Sequence, residues 1–154
     1  MSEQNIHVIQ QLFEAFNTGD FTLAEAVIAP EYLNHEALDD EEERAQRRGP
    51  EELAASIKWL RDAFSDLHFE IQEVIAAGEK VVVRALMTGK HTGPFMQVAP
   101  TGKNISSEQV HLFRLIDGKV AEHRARRDDL GMLLQIGAVS FHGSQGAASS
   151  SYAR

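Results

Sequence analysis

Residues 104–127 read NISSEQVHLFRLIDGKVAEHRARR, and this stretch decides the fold. Asp117-Gly118 stands between two extended runs, the composition of a tight hairpin turn whose glycine tolerates the positive φ such turns require. Residues 104–115 and 120–127 are therefore predicted to be antiparallel neighbours. Side chains alternate across a strand. Ile105, Ser107, Gln109, His111 and Phe113 then share one face, with Ser106, Glu108, Val110, Leu112 and Arg114 on the other. On the second strand Glu122, Arg124, Arg126 and Asp128 lie opposite Ala121, His123, Ala125 and Arg127. Neither strand has the clean alternation of a sheet with one wet face. A concave sheet enclosing part core and part polar pocket produces this mixture. So does a charged face turned to water or a subunit partner, where charged side chains mostly lie.

Working outward, Val81–Thr88 (VVVRALMT) is the strongest strand signal, preceded by a turn at Ala77-Gly78-Glu79-Lys80. Leu67, Phe69 and Ile71 alternate with His68, Glu70 and Gln72, a further half-buried strand. A loop with glycine and proline runs from Gly89 to Gly102. Toward the N-terminus the period becomes helical: Ile6, Ile9, Leu12, Phe13 and Phe16 form one stripe over residues 5–16, stopped by Asn17-Thr18-Gly19-Asp20. Asp20 caps a shorter helix through Val27 and Ile28, which Ala29-Pro30 ends. Glu31–Glu36 reads as a short extended piece or turn. Asp39–Arg48 is the most polar stretch, a solvated loop or surface turn in which Glu43 and Arg47 stand four apart and pair weakly. Gly49-Pro50-Glu51-Glu52 opens a third helix, with Leu53, Ile57, Leu60, Ala63 and Phe64 as its stripe, Trp59 at the margin and an end near Ser65-Asp66. Asp128 or Asp129 caps a last short helix. Three helices, a four-strand antiparallel meander, a terminal helix and room for one early strand define an α+β fold, not a doubly wound one. One domain over residues 1–137 and a flexible tail over 138–154 are expected.

Composition limits the function. The chain has 154 residues, a net charge of −8 and no cysteine. Thiolate nucleophiles, disulfides and thiolate metal sites are excluded together. The acidic balance argues against nucleic acid, whose affinity comes largely from phosphate contacts. No apolar run approaches the roughly 20 residues that span a bilayer, and no secretory signal is visible, which fits a cytoplasmic protein. The histidines (His7, His35, His68, His91, His111, His123 and His142) form no zinc spacing. There is no glycine-rich dinucleotide fingerprint, phosphate loop or serine elbow. Acid–base work by carboxylate and imidazole remains, with no cofactor implied and a small-molecule substrate.

The chain resembles the SnoaL-like polyketide cyclases and ester cyclases, within the NTF2-like superfamily of cone-shaped proteins. The resemblance rests on Tyr32-Leu33-Asn34-His35, Gly49-Pro50-Glu51, Phe64–Phe69 (FSDLHF), Gly89–Phe95 (GKHTGPF), Ala99–Lys103 (APTGK), Phe113–His123 (FRLIDGKVAEH) and Asp128–Gly137 (DDLGMLLQIG). It implies a curved antiparallel sheet with helices on its concave side, and an intramolecular aldol closure on an aromatic polyketide. A carboxylate removes the proton between an ester and a ketone, and the carbanion attacks a second carbonyl. By the family pattern of an aspartate four residues past a tryptophan, the base falls on Asp128. His35 and His111 match positions that line family pockets and could donate to, or polarise, the substrate oxygens, while Asn34, His91, Arg124 and Phe113 are the candidate substrate contacts, His91 alternatively shaping the cavity mouth. One departure stands out: Arg124 occupies the place of the tryptophan, where it could meet an anionic group or pair with Glu122 or Asp128. The resemblance also implies self-association as a homodimer or homotetramer.

Other readings stay open on the residues alone. Asp128 is a base or a helix cap; His35 is a pocket or a turn residue; His111 is a pocket or a hydrogen-bonded core histidine. Besides a cyclase, the chain could be a hydrolase, isomerase or dehydratase acting on a small or anionic compound, or a non-catalytic ligand-binding protein.

Overall fold

The computed structural model describes residues 2–36 and 47–141. The expected Glu43–Arg47 pair and the tail from His142 onward lie outside the described residues. Within them the order is α1 (Ser2–Thr18), α2 (Phe21–Val27), β1 (Ile28–Asn34), α3 (Pro50–Ala63), β2 (Phe64–Ala77), β3 (Lys80–His91), β4 (Asn104–Ile116), β5 (Lys119–Arg127) and α4 (Asp129–Gln135). The five strands make one curved, unclosed sheet in the order β1-β5-β4-β3-β2. From β2 to β5 it is the expected antiparallel meander.

The early strand is longer than a short extended piece and pairs in parallel with β5, Ile28 opposite Val120 and Asn34 opposite His123. It begins directly after Val27, so Pro30 lies inside a strand rather than after a helix. Proline is tolerated there because β1 is an edge strand and one row of its backbone groups needs no partner. The third helix also ends two residues earlier than expected, at Ala63, where Phe64 turns straight into β2.

Alternation sets the two faces. On β3 Val81, Val83, Ala85 and Met87 are buried, and on β4 Ile105, Ser107, Gln109, His111, Phe113 and Leu115. These residues form the concave side, against which α1 brings Ile9, Leu12 and Phe13, and α3 brings Leu53 and Ile57. Phe13 stands at the centre. Its ring lies 5.5 Å from Phe69, 5.4 Å from His111 and 6.0 Å from Phe113, the last two edge-on. That geometry sets the positive ring edge against the negative ring face.

Asn17 at the end of α1 ties the helix to the sheet: its Nδ2 donates to the Phe69 carbonyl at 3.1 Å and its Oδ1 accepts from Phe69 N–H at 2.7 Å. Replacing Asn17 by Ala removes both bonds and leaves two β2 backbone groups without them. The expected loss is about 2 kcal/mol of stability, read as a lower urea midpoint at unchanged slope.

Candidate functional site

Curvature of the sheet leaves a cavity of about 100 Å³, measured as space for the centre of a water molecule, between the concave face and the helices. Its walls are mostly apolar: Leu12, Phe13 and Phe16 from α1, Leu53, Trp59 and Leu60 from α3, and Phe69, Met87 and Phe113 from the sheet. Phe95 reaches in from the loop after β3 and packs on Trp59 at 5.2 Å and on Phe64 at 5.0 Å. The polar lining is confined to Tyr32, Asn34, Glu36, Arg47, Ser56, Gln109, His111, His123, Arg127 and Asp129.

A continuous hydrogen-bonded row crosses the floor. Gln109 Oε1 lies 2.9 Å from His111 Nε2, His111 Nδ1 lies 2.9 Å from His123 Nε2, and His123 Nδ1 lies 2.8 Å from Asn34 Oδ1. Asn34 Nδ2 continues to Glu52 Oε1 at 3.3 Å, and Arg47 Nε donates to Glu52 Oε2 at 2.8 Å. Glu52 is only 1% exposed, a buried carboxylate held by a guanidinium, an amide and the Ser56 hydroxyl. Tyr32 is 2% exposed, lines the cavity and makes no side-chain hydrogen bond among the described residues.

Both imidazoles resist protonation. Burial lowers the pKa of His111 to about 3, with the Arg127 charge adding to the effect. Burial also holds His123 well below the ordinary histidine value, reinforced by His111, Arg127 and His35. The Tyr32 phenol is pushed upward by burial and then by the Glu52 charge, so it remains a donor.

Of the residues singled out from sequence, the cavity gathers Asn34, His111 and Phe113 and leaves four outside. Asp128 is exposed, and its Oδ1 accepts from Gly131 N–H at 2.9 Å as the cap of α4. The carboxylate folds so closely over this turn that a Cβ at Gly131 would lie 2.1 Å from Asp128 Oδ2. Arg124 is exposed on the convex face, because beyond the bulge near the turn the even-numbered positions of β5, Glu122 to Arg126, point away from the helices. It does not line the cavity. His35 lies at the end of β1 with Nε2 3.3 Å from Glu122 Oε1. His91 is fully buried under the following loop, its Nδ1 3.0 Å from Thr101 Oγ1, with Phe64 against the ring. It shapes the loop that carries Phe95.

The sequence reading did not single out Tyr32, Gln109, His123, Glu52, Arg127 or Asp129. Strand parity was the available signal for Gln109, His123 and Arg127, which fall on the same faces as His111 or Ala125. For Asp129 none was available, since either member of the Asp-Asp pair fits a cap. Asp129 lines the cavity, its side chain 45% exposed and its Oδ1 3.6 Å from Arg127 Nε. Among the described residues no group of three or more His, Asp or Glu side chains is placed to hold a metal ion. No helix there is long and apolar enough to cross a membrane.

Residues 6–136 match the family described as SnoaL-like polyketide cyclase, and the chain belongs to that family. It is 39% identical over 138 residues to the aklanonic acid methyl ester cyclase DnrD of Streptomyces peucetius, covering 89% of this chain and 92% of that one. It is 35% identical over 127 residues to the nogalonic acid methyl ester cyclase of Streptomyces nogalater, covering 82% and 92%. The crystal structure of IdmH from Streptomyces antibioticus superposes with a TM-score of 0.75 at 31% identity, covering 87% of this chain and 99% of that one.

Two measurements check this geometry. Asp128→Ala should cost about 1 kcal/mol as a lost helix cap, read by thermal or urea unfolding. The imidazole pair should make the fold acid-sensitive early. Below the unfolded histidine value near 6.5 the unfolded chain takes up protons that the folded one refuses, so stability falls as pH drops. Between pH 6.5 and 5, where most carboxylates are still ionised, His111 alone should account for about 2 kcal/mol. Urea unfolding of wild type and His111→Gln across that window should show the steeper decline in wild type.

Proposed function

We propose that the protein closes a ring on an aromatic polyketide methyl ester by intramolecular aldol condensation, without a cofactor, with Asp129 rather than Asp128 as the base. One observation carries this reading: of the two adjacent carboxylates, Asp129 borders the apolar cavity while Asp128 is occupied at the helix start. The similarity to two methyl ester cyclases supports the substrate class. The carbon between an ester and a ketone is acidic enough for a carboxylate to deprotonate once water is excluded and the partners are held in place. Its electron pair forms the new carbon–carbon bond to a second carbonyl. That carbonyl oxygen takes up the proton and becomes a hydroxyl. Negative charge passing over the substrate oxygens is met by the Tyr32 hydroxyl and the Gln109 amide, donors fixed before the reaction. Phe13, Phe16, Trp59 and Phe113 supply flat apolar surface for the ring system.

A second reading has an observation of its own. Arg47 and Arg127 both border the cavity, which suits a hydrolase, isomerase or dehydratase on an anionic compound. The variant that decides is Asp129→Asn. Turnover of a polyketide methyl ester should fall by at least about 100-fold with the substrate still bound, while Asp128→Asn keeps most activity. A folded Asp128→Asn protein without turnover, beside an active Asp129→Asn protein, would return the base to Asp128.

The same proposal includes self-association through the convex face. Ile75, Val82 and Leu112 lie in register there, and Ile75 is 59% and nearby Val110 47% exposed. Light scattering at micromolar concentration should give a dimer or tetramer, and Val110→Glu should weaken it.

A further inference from the structure

The row on the cavity floor has a direction. Asn34 Oδ1 accepts the Glu36 backbone N–H at 3.0 Å, a group that can only donate. Asn34 Nδ2 faces the Glu52 carboxylate, a group that can only accept. The amide is thereby locked at both ends, with its oxygen toward His123 Nδ1 at 2.8 Å. His123 must donate from Nδ1. A neutral imidazole carries one N–H, so His123 Nε2 is bare and must accept, which obliges His111 to donate from Nδ1 across 2.9 Å. His111 Nε2 is then bare as well, and the bond to Gln109 can form only from the amide N–H.

We propose that Glu52 is a positioning residue which, through Asn34, sets both His123 and His111 as Nδ1–H tautomers and leaves His111 Nε2 as a hydrogen-bond acceptor paired with the Gln109 amide N–H. The opposite arrangement, with Gln109 Oε1 accepting, would need three protons on two rings and hence a positive charge. Burial and the neighbouring Arg127 oppose that charge. The amide of Gln109 therefore turns its nitrogen to His111. Its second N–H and its carbonyl oxygen are left to the Met87 side and the cavity.

The polarity bears on substrate choice, a consequence that rests on the cyclase reading. A substrate group that replaces Gln109 at His111 Nε2 must donate a proton, so this end of the cavity selects a phenol or enol hydroxyl over a bare ketone. Glu52 and Ser56 hold Asn34 from the far side and make no hydrogen bond to either ring.

The tautomers can be read in the ligand-free protein, so their failure is distinguishable from failure of the cyclase assignment. Imidazole ¹⁵N–¹H correlation spectra of histidine-labelled wild type at neutral pH should show ring protons on Nδ1 of His111 and His123 and none on either Nε2. A proton on His111 Nε2 would overturn the proposal without any variant being made. In Glu52→Gln the residue can donate to Asn34 Oδ1, the amide is free to turn, and the Nδ1–H pattern should be lost or mixed. An unchanged pattern in folded Glu52→Gln would remove Glu52 from its role. Gln109→Glu, whose ionised carboxylate can only accept, should bring a third ring proton onto the pair.

Discussion

The register between β4 and β5 is the constraint on which the site depends. His111 lies opposite Ala125 and Phe113 opposite His123, so one face of the pair carries Gln109, His111, Phe113 and His123 together. Because side chains alternate, a slip of β5 by one residue would put Arg124 and Arg126 on that face in place of His123 and part it from His111. The connection holds the register locally. Asp117 has φ 52° and Gly118 φ 75°, the left-handed pair that matches the twist of two antiparallel strands. A bulge between Arg114 and Leu115 then re-aims the strand next to the turn.

A floor of amides and imidazoles inside an apolar shell is stable only if its members satisfy one another. Here they do so in one unbroken line, from Gln109 through two imidazoles and Asn34 to Glu52 and Arg47. The line is assembled from four elements or their flanks: β4, β5, β1 and the start of α3. Phe13, edge-on to His111, closes the row from the helix side. The result is a cavity with mostly apolar walls and a few fixed polar atoms, the composition general to small-molecule sites.

The Asp128-Asp129 pair shows how one residue of chain separates a helix cap from a side chain at the cavity. At the exit from β5 the first carboxylate turns back onto the free N–H groups of α4, and Gly131 leaves space for it. The second starts the helix and stays beside Arg127 at the cavity rim. A helix N-terminus favours both acids, so local electrostatics does not distinguish them. Position relative to the hollow does.

Much of the fold was legible because its signals are short-ranged. The hairpin at Asp117-Gly118, the alternation along Val81–Thr88, the Asp20 cap and the apolar stripes of α1 and α3 each need only a few neighbouring residues to be read. The parity of residues 104–113 likewise put Gln109, His111 and Phe113 on one side. What the amino-acid order alone determined was therefore the elements, their order and which side chains share a face. Tertiary structure decided which face is hollow, which of two aspartates meets it, and that Asn34, 89 residues away, completes the hydrogen bonds of His123. The physical reason is that burial and hydrogen-bond partnership at these positions come from parallel pairing of β1 with β5 and from helices packed across the bend, contacts that no local period encodes.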